Sequence, residues 1–338
     1  MQDQLGVAVV GPGRAGMVHA RNFANKINRA RLVALQDEDP ERVEERAEEL
    51  SVANYYTDLD KLLSNSEVEA VVIGTPTFTH AKIASAAARA GKHVLCEKPL
   101  AITLEEADKI ASAVESTGVH FMVGFMRRFD SGFIEAKKKI EAGEIGEIMT
   151  VKSTGRGPGL PPQWALDPDL SNGNLAEVNS HDFDSIRWLT GNEYELVFTR
   201  GGNFRSPELE DEFPEFYDNA LVSFEMDDGT IGSVDGTCPA DYGYDARMEI
   251  LGTKGVLFVG EVAKRGVQVC TSEGGFRREQ VNSWQSLFSR AYEREDRHFV
   301  DSVLNGEQPR VSLEDGRRAI EVVLAANRSL REKVEVEV

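Results

Sequence analysis

Leu5-Gly6-Val7-Ala8-Val9-Val10-Gly11-Pro12-Gly13-Arg14-Ala15-Gly16 is the stretch that decides the fold. Its first half is an unbroken run of small and β-branched apolar residues, the pattern of a strand buried on both faces of a parallel sheet. The second half is Gly11-x-Gly13-x-x-Gly16, and helix-forming residues follow to about Asn25. Gly11 permits the tight turn out of the strand, and Gly13 lets backbone approach a pyrophosphate. Gly16 lets the helix pack on the sheet with its N-terminus aimed at phosphate. Gly11, Pro12, Gly13, Arg14, Ala15 and Gly16 are therefore candidate dinucleotide contacts. Glycines at this spacing also serve ordinary turns, so the surrounding sequence has to support the reading.

A second apolar strand, Leu32-Val33-Ala34-Leu35, ends in Gln36-Asp37. Asp37 lies about twenty residues past the glycines, where a carboxylate accepts hydrogen bonds from adenosine ribose hydroxyls. A 2′-phosphate would be repelled there, and Glu38 and Asp39 add further negative charge. The expected cofactor is NAD rather than NADP. The competing reading is a βαβ unit that binds nothing.

Length and composition set the frame. At 338 residues the chain can bury a substantial core and divide into two domains. A hydrophobic content of 41% with 28% charged residues is that of a soluble globular protein. No apolar run reaches the ~18 residues that cross a bilayer, and the first apolar run is already needed as a strand, with no basic leader before it. A cytoplasmic location is expected. The net charge of −19 argues against nucleic acid and anionic membrane as partners, because their phosphates would be repelled. Cys96, Cys238 and Cys270 are scattered with no CxxC and read as small core residues, not as disulfide partners or metal ligands.

Strands and helices alternate after Asp37. Asp39-Pro40 opens a charged helix to Leu50, and Asp58 caps a helix to about Leu63. Ala70–Ile73 is a buried strand entering Gly74-Thr75-Pro76-Thr77-Phe78-Thr79-His80, followed by an alanine-rich helix. His93–Cys96 is another strand, closed by Glu97-Lys98-Pro99; Thr103 caps a helix to Thr117, and Val119–Val123 ends the series. These units predict an α/β fold with an N-terminal doubly wound parallel sheet of the Rossmann type over residues 1–124. Ligands of such sheets lie at the carboxyl ends of the strands. The loops at 11–16, 74–80 and 97–99 should therefore converge, adding Thr75, Pro76, His80, Glu97 and Lys98 to the cofactor candidates.

Beyond residue 124 the character changes. A helix over about 129–142 leads into strand-like segments near 147–157, 194–204, 217–226, 230–238, 245–252, 255–260 and 266–271. One helix, Leu175 to Leu189, interrupts them, and a pair at 284–304 and 313–331 closes the chain. Residues 125–338 thus read as an α+β domain with a mostly antiparallel open sheet. An open sheet leaves one face uncovered, and a second copy of the chain is the simplest cover. A homo-oligomer, a dimer or tetramer through this sheet, is expected. The acidic run Glu208–Glu215 reads as an exposed loop.

Two stretches carry chemistry. Glu97-Lys98-Pro99 sets a charged pair at the end of a buried strand, where a lysine is costly unless paired or used. Lys98 either hydrogen-bonds a substrate hydroxyl and stabilises a developing alkoxide, or it completes a structural ion pair. A cis peptide before Pro99 would fix the direction of the lysine. The second stretch is Asn172–Asp184. Glu177 and His181 are four residues apart and would share one face of a continuous helix, with Glu177 orienting the imidazole and His181 taking a hydroxyl proton. Two alternatives are a buried structural histidine and a metal ligand; with no nearby cysteine, no metal is expected.

Taken together, these residues resemble the Gfo/Idh/MocA family of NAD(P)-dependent oxidoreductases. The resemblance rests on Gly11–Gly16, Asp37, Gly74-Thr75-Pro76-Thr77-x-x-His80 and Glu97-Lys98-Pro99. It continues through Gly143-x-Ile145-Gly146, His181-Asp182-x-Asp184, Trp188-Leu189-x-Gly191 and Gly252-x-Lys254-Gly255. Within the family, Gly124–Asp130, Tyr242-Gly243-Tyr244-Asp245 and Ala291-Tyr292-x-x-Glu295 resemble inositol 2-dehydrogenases. The resemblance implies NAD-linked oxidation of one ring hydroxyl of a cyclic polyol such as myo-inositol to a ketone. Lys98 would bind the reacting hydroxyl and His181 would be the general base. Glu177 would join them in catalysis, at a position usually held by an aspartate one methylene shorter. Arg127, Arg156, Trp164 and Tyr244 are further substrate-contact candidates, each with packing as its plain alternative. A sugar (aldose) 1-dehydrogenase or keto-sugar reductase would use the same residues. A non-catalytic NAD-binding sensor would not need both Lys98 and His181.

Overall fold

In the computed structural model of this chain, Leu5–Val10 is strand β1 with every residue buried, as an uninterrupted apolar run requires. The structure describes residues 4–260 and 282–338, with the backbone of 263–271 and 275–280. Five βα steps follow β1: α1 (Gly16–Asn25), β2 (Ala30–Gln36), α2 (Pro40–Leu50), β3 (Asn54–Tyr56), α3 (Leu59–Leu63), β4 (Ala70–Ile73), α4 (Thr77–Arg89), β5 (His93–Glu97), α5 (Leu104–Thr117) and β6 (Phe121–Gly124). The strands are all parallel in the order β3-β2-β1-β4-β5-β6. The order reverses between β1 and β4, which makes the carboxyl ends of those two strands the ligand-binding edge. Helix starts follow the sequence: Asp39, Asp58 and Thr103 each accept backbone N–H bonds at the caps of α2, α3 and α5. The Lys98–Pro99 peptide is cis, as is Cys238–Pro239.

The second unit begins with α6 (Ser131–Glu141), capped by Asp130, and β7 (Ile148–Arg156). Three short helices follow: α7 (Pro168–Ser171), α8 (Gly173–Glu177) and α9 (Ser180–Thr190). Then come β8 (Tyr194–Gly202), β9 (Asn219–Met226), β10 (Ile231–Thr237), β11 (Asp245–Gly252) and β12 (Val256–Val259). Strands β13 (Ala263–Thr271) and β14 (Gly275–Gln280) form a separate antiparallel pair; β14 was not expected from the sequence. Helices α10 (Trp284–Leu287), α11 (Ser289–Asn305) and α12 (Leu313–Glu332) and strand β15 (Val336–Glu337) end the chain. The large sheet has the order β12-β11-β7-β10-β9-β8-β15. Only β7 and β10 run parallel; every other pair is antiparallel. Strand β9 alternates strictly between buried and exposed residues after Asn219, so one face of the sheet is packed and the other is open.

The single boundary drawn after residue 124 differs from the division in the structure. One compact unit is Met1–Phe129 with Arg290–Ile320, the other Asp130–Ser289 with Glu321–Val338. Residues 290–320 return to the first unit for identifiable reasons. The Val123 amide donates to the Val311 carbonyl at 3.3 Å. Arg128 pairs with Asp315 at 2.9 Å and Arg317 with Asp108 at 3.0 Å. Cys96 and Cys238 are buried, whereas the side chain of Cys270 lies outside the described residues. Among the described residues, no helix is long and apolar enough to cross a membrane.

Candidate active site

In the first unit the loop at Gly11–Gly16 is shaped by contacts that exclude side chains. Gly11 has φ +76°, and a Cβ there would lie 2.6 Å from the Thr75 side chain. A Cβ on Gly16 would lie 2.1 Å from the Gly11 carbonyl oxygen. Gly13, in contrast, has no protein atom near its Cβ direction. Pro12 is buried, Ala15 half-buried and Arg14 exposed. Helix α1 starts at Gly16, and its N-cap residue Ala15 makes no side-chain cap, so the positive end of the helix dipole is open to an anion. At the end of β2, Asp37 is nearly buried and accepts the Asp39 amide at 3.0 Å. Arg42 donates to both Asp37 oxygens at 3.1 Å, a contact that the sequence reading did not foresee. Open space over Gly13, an uncapped helix and a carboxylate at the next strand end together fit a dinucleotide.

The loops after β4 and β5 meet through His80. Its Nε2 lies 2.9 Å from the Thr75 carbonyl and its Nδ1 lies 2.7 Å from the Pro99 carbonyl. Burial pushes the His80 imidazole toward its neutral form, although both carbonyls favour the cation. His80 is thus a clasp between two loops, and Pro76 caps α4 beside it. Glu97 is buried, with one oxygen on His19 Nε2 at 2.9 Å and the other on the Lys98 amide at 3.2 Å. Lys98 is half-buried. Arg127 is almost wholly buried in the turn after β6, beside Arg128.

In the second unit, Glu177 and His181 do not share a helix. Helix α8 ends at Glu177 and α9 starts at Ser180, with Val178 and Asn179 forming a turn between them. The expected continuous helix from Leu175 to Leu189 is corrected accordingly. Asn179 accounts for the break. Its side-chain amide donates to the Gly155 carbonyl at 3.2 Å and to Asp182 at 3.0 Å. Asp182 also accepts from Ser153 at 2.6 Å. His181 is buried beside these groups, and Glu177 is half-buried. The seat for this corner is a pair of glycines on neighbouring strands. A Cβ at Gly155 would lie 2.0 Å from Asp182, and one at Gly236 would lie 2.1 Å from Asn179. Neither glycine was singled out from the sequence.

Arg156 is not brought to His181. It follows Gly155 on β7, so its side chain leaves the sheet on the opposite face from α9. There it pairs with Asp235 and donates to the Tyr242 hydroxyl at 3.0 Å. Trp164 is half-buried in a single turn over Gln163–Leu166. Tyr244 is buried with its ring edge-on to Phe288 at 6.2 Å between centroids. Among the described residues, no cluster of three or more His, Cys, Asp or Glu side chains could hold a metal ion.

Comparison with known proteins agrees with this geometry. Residues 5–125 match the oxidoreductase family with an NAD-binding Rossmann fold, and residues 137–338 match the C-terminal alpha/beta domain of that family. The chain is 36% identical to scyllo-inositol 2-dehydrogenase (NAD(+)) of Bacillus subtilis, over 100% of this chain and 97% of that protein. It is 34% identical to myo-inositol 2-dehydrogenase of Thermotoga maritima, over 97% of this chain and 96% of that protein. The crystal structure of scyllo-inositol dehydrogenase from Lactobacillus casei with bound NAD(H) and scyllo-inositol superimposes with a TM-score of 0.91 at 29% identity, covering 99% of both chains.

Proposed function

The chain belongs to the Gfo/Idh/MocA family of oxidoreductases, and from that premise we propose that it oxidises one ring hydroxyl of myo- or scyllo-inositol to a ketone. It is an NAD-dependent oxidoreductase acting on CH–OH groups. The observation that carries the substrate class is similarity to inositol 2-dehydrogenases along the whole chain. Gly11–Gly16 and Asp37 would hold the cofactor, with Thr75, Pro76 and the Glu97–Lys98 segment completing its surroundings. Bound NAD+ supplies the acceptor for hydride. Asp37 favours NAD over NADP, since its carboxylate accepts ribose hydroxyls and repels a 2′-phosphate.

In this reading the Lys98 ammonium donates a hydrogen bond to the reacting hydroxyl oxygen and stabilises the negative charge that develops there. His181 accepts the hydroxyl proton as the C–H bond of the same carbon breaks; the C=O bond forms, and the proton remains on the imidazole. Glu177 hydrogen-bonds a neighbouring ring hydroxyl and supports the histidine. Arg127, Trp164 and Tyr244 are each kept as substrate contacts, while Arg156 is left out because it is committed to Asp235 on the other face of the sheet. That open face, which exposes Leu221 and Ile231, would be covered by a second copy of the chain.

Initial rates with NAD and NADP across myo-, scyllo- and chiro-inositol, glucose, galactose and xylose test the proposal. Turnover of an inositol with NAD is expected. Turnover of an aldose alone would move the substrate to the sugar dehydrogenases, and NAD binding without turnover on any compound would leave a sensor. Light scattering on the purified protein checks the oligomer; a monomer at micromolar concentration would reject it.

A further inference from the structure

Behind Lys98, within the first unit, lies a buried array of three ionisable side chains that the proposed chemistry does not use. His19, on the first helix after the glycine loop, is fully buried. Its Nδ1 lies 2.5 Å from an Asp296 oxygen on α11, and its Nε2 lies 2.9 Å from a Glu97 oxygen at the end of β5. The other Asp296 oxygen accepts from the Asn22 side chain at 2.7 Å. The other Glu97 oxygen accepts the Lys98 amide at 3.2 Å. Gly124 leaves the room this requires, since a Cβ there would crowd the Glu97 carboxylate at 3.2 Å.

We propose that the Asp296–His19–Glu97 array is a positioning device for Lys98, with His19 as its central residue. The proposal rests on the reading that Lys98 binds the reacting hydroxyl. A neutral imidazole has one N–H and can satisfy only one of two flanking carboxylates, whereas the imidazolium donates to both. Burial opposes that charge, and Asp296 and Glu97 outweigh it, so the ring holds its proton well above the ordinary histidine range. The groups facing the ring are Asp296 and Tyr292 on α11 and Glu97 at the end of β5; the Tyr292 ring stands edge-on at 5.4 Å. With Glu97 held at one oxygen by His19 and at the other by the next amide, the main chain entering Lys98 is fixed. The His80 bond to the Pro99 carbonyl fixes it on the far side. Lys98 is therefore presented from a segment clamped at both ends, which is how a charged side chain on a short loop is held to the tolerance that catalysis needs.

The test uses the full-length enzyme with NAD and its inositol substrate. In H19Q the ring cation is gone and two buried carboxylates face each other. The expected result is a kcat lowered about 10- to 100-fold, with NAD affinity within about threefold of the parent. Adding D296N to H19Q removes the surplus charge and should recover part of the lost kcat. D296N alone keeps the ring but weakens its hold on the proton, so the alkaline limb of the kcat–pH profile should move to lower pH. This variant carries the test if H19Q does not fold. Parental kcat and pH profile in both H19Q and D296N would overturn the inference, as would a change confined to KM. K98A is measured alongside. If K98A keeps parental kcat, the reading of Lys98 fails and the inference falls with it. If K98A is inactive while H19Q and D296N behave as the parent, the inference alone fails.

Discussion

Gly155 and Asp182 are so close that a single methyl group on the glycine would lie 2.0 Å from the aspartate carboxylate. The contact joins strand β7 to the first turn of the helix that carries His181, and Gly236 makes the matching contact with Asn179 from β10. Replacing either glycine by alanine pushes the start of α9 off the sheet. G155A and G236A should each cost about 1–3 kcal/mol of stability, the usual range for overpacking a filled site. Their kcat should fall further than that of an alanine substitution at an exposed sheet position such as Ser223. Thermal melts and steady-state rates check this. Parental values for both variants would mean that the helix start has room to give.

Lys98 and His181 differ in what their removal should change. Under the proposed mechanism K98A removes the donor to the reacting oxygen, and a loss of about 10²- to 10³-fold in kcat is expected, as for other oxyanion donors. H181A should lose about 10²- to 10⁴-fold and also the limb of the pH–rate profile that belongs to the base. NAD affinity, measured by fluorescence titration, should stay near the parent value in both. A near-normal kcat in either variant removes that residue from the mechanism.

The parallel sheet of the first unit was legible in the sequence because each of its signals is local. Continuous apolar runs mark buried parallel strands, and the Gly11–Gly16 loop and the Asp and Thr caps announce the turns and helix starts between them. The corner at His181 was not legible. A window-based reading sees good helix formers from Leu175 onward, but the side chain of Asn179 bonds across to the Gly155 carbonyl and breaks the helix there. The same limit hid Arg42 on Asp37 and the array at His19, whose partner Asp296 is 277 residues away. Nor did the sequence show that Arg156 pairs with Asp235 and Tyr242, partners 79 and 86 residues away.

The Asp37–Arg42 pair bears on cofactor choice. In D37S the ribose hydroxyls lose a charged acceptor, which typically contributes about 1.5–3 kcal/mol, so the KM for NAD should rise about 10- to 100-fold. The same change leaves Arg42 held by Asp39 alone, at 2.9 Å, and frees its other guanidinium nitrogen to meet a 2′-phosphate. The ratio of kcat/KM for NADP to that for NAD should therefore rise at least about tenfold in D37S, and R42A in that background should cancel the gain. An unchanged ratio in D37S would separate Asp37 from cofactor discrimination.

Acid sensitivity should come from the histidines. Burial lowers the pKa of His80, His93, His120 and His298 below the ordinary 6.5, so each is held neutral in the folded chain. Their contribution to stability is present above that value and is lost as pH falls through their folded values, because the unfolded chain binds the protons more readily. His19 has the opposite shift; its contribution is complete below 6.5 and is lost only as pH rises through its folded pKa. It therefore does not offset the loss in acid. At His93 the geometry gives the reason for neutrality: Nδ1 accepts the His120 amide at 3.0 Å and faces the His120 ring nitrogen at 3.2 Å. Protonation at that nitrogen would exchange an acceptor for a second donor. The melting temperature should thus drop on going from about pH 7.5 to about pH 5.5, and H93Q, whose side-chain carbonyl can accept the same amide at any pH, should show a smaller drop. An H93Q variant with the same pH dependence as the parent would assign the acid sensitivity to the other histidines.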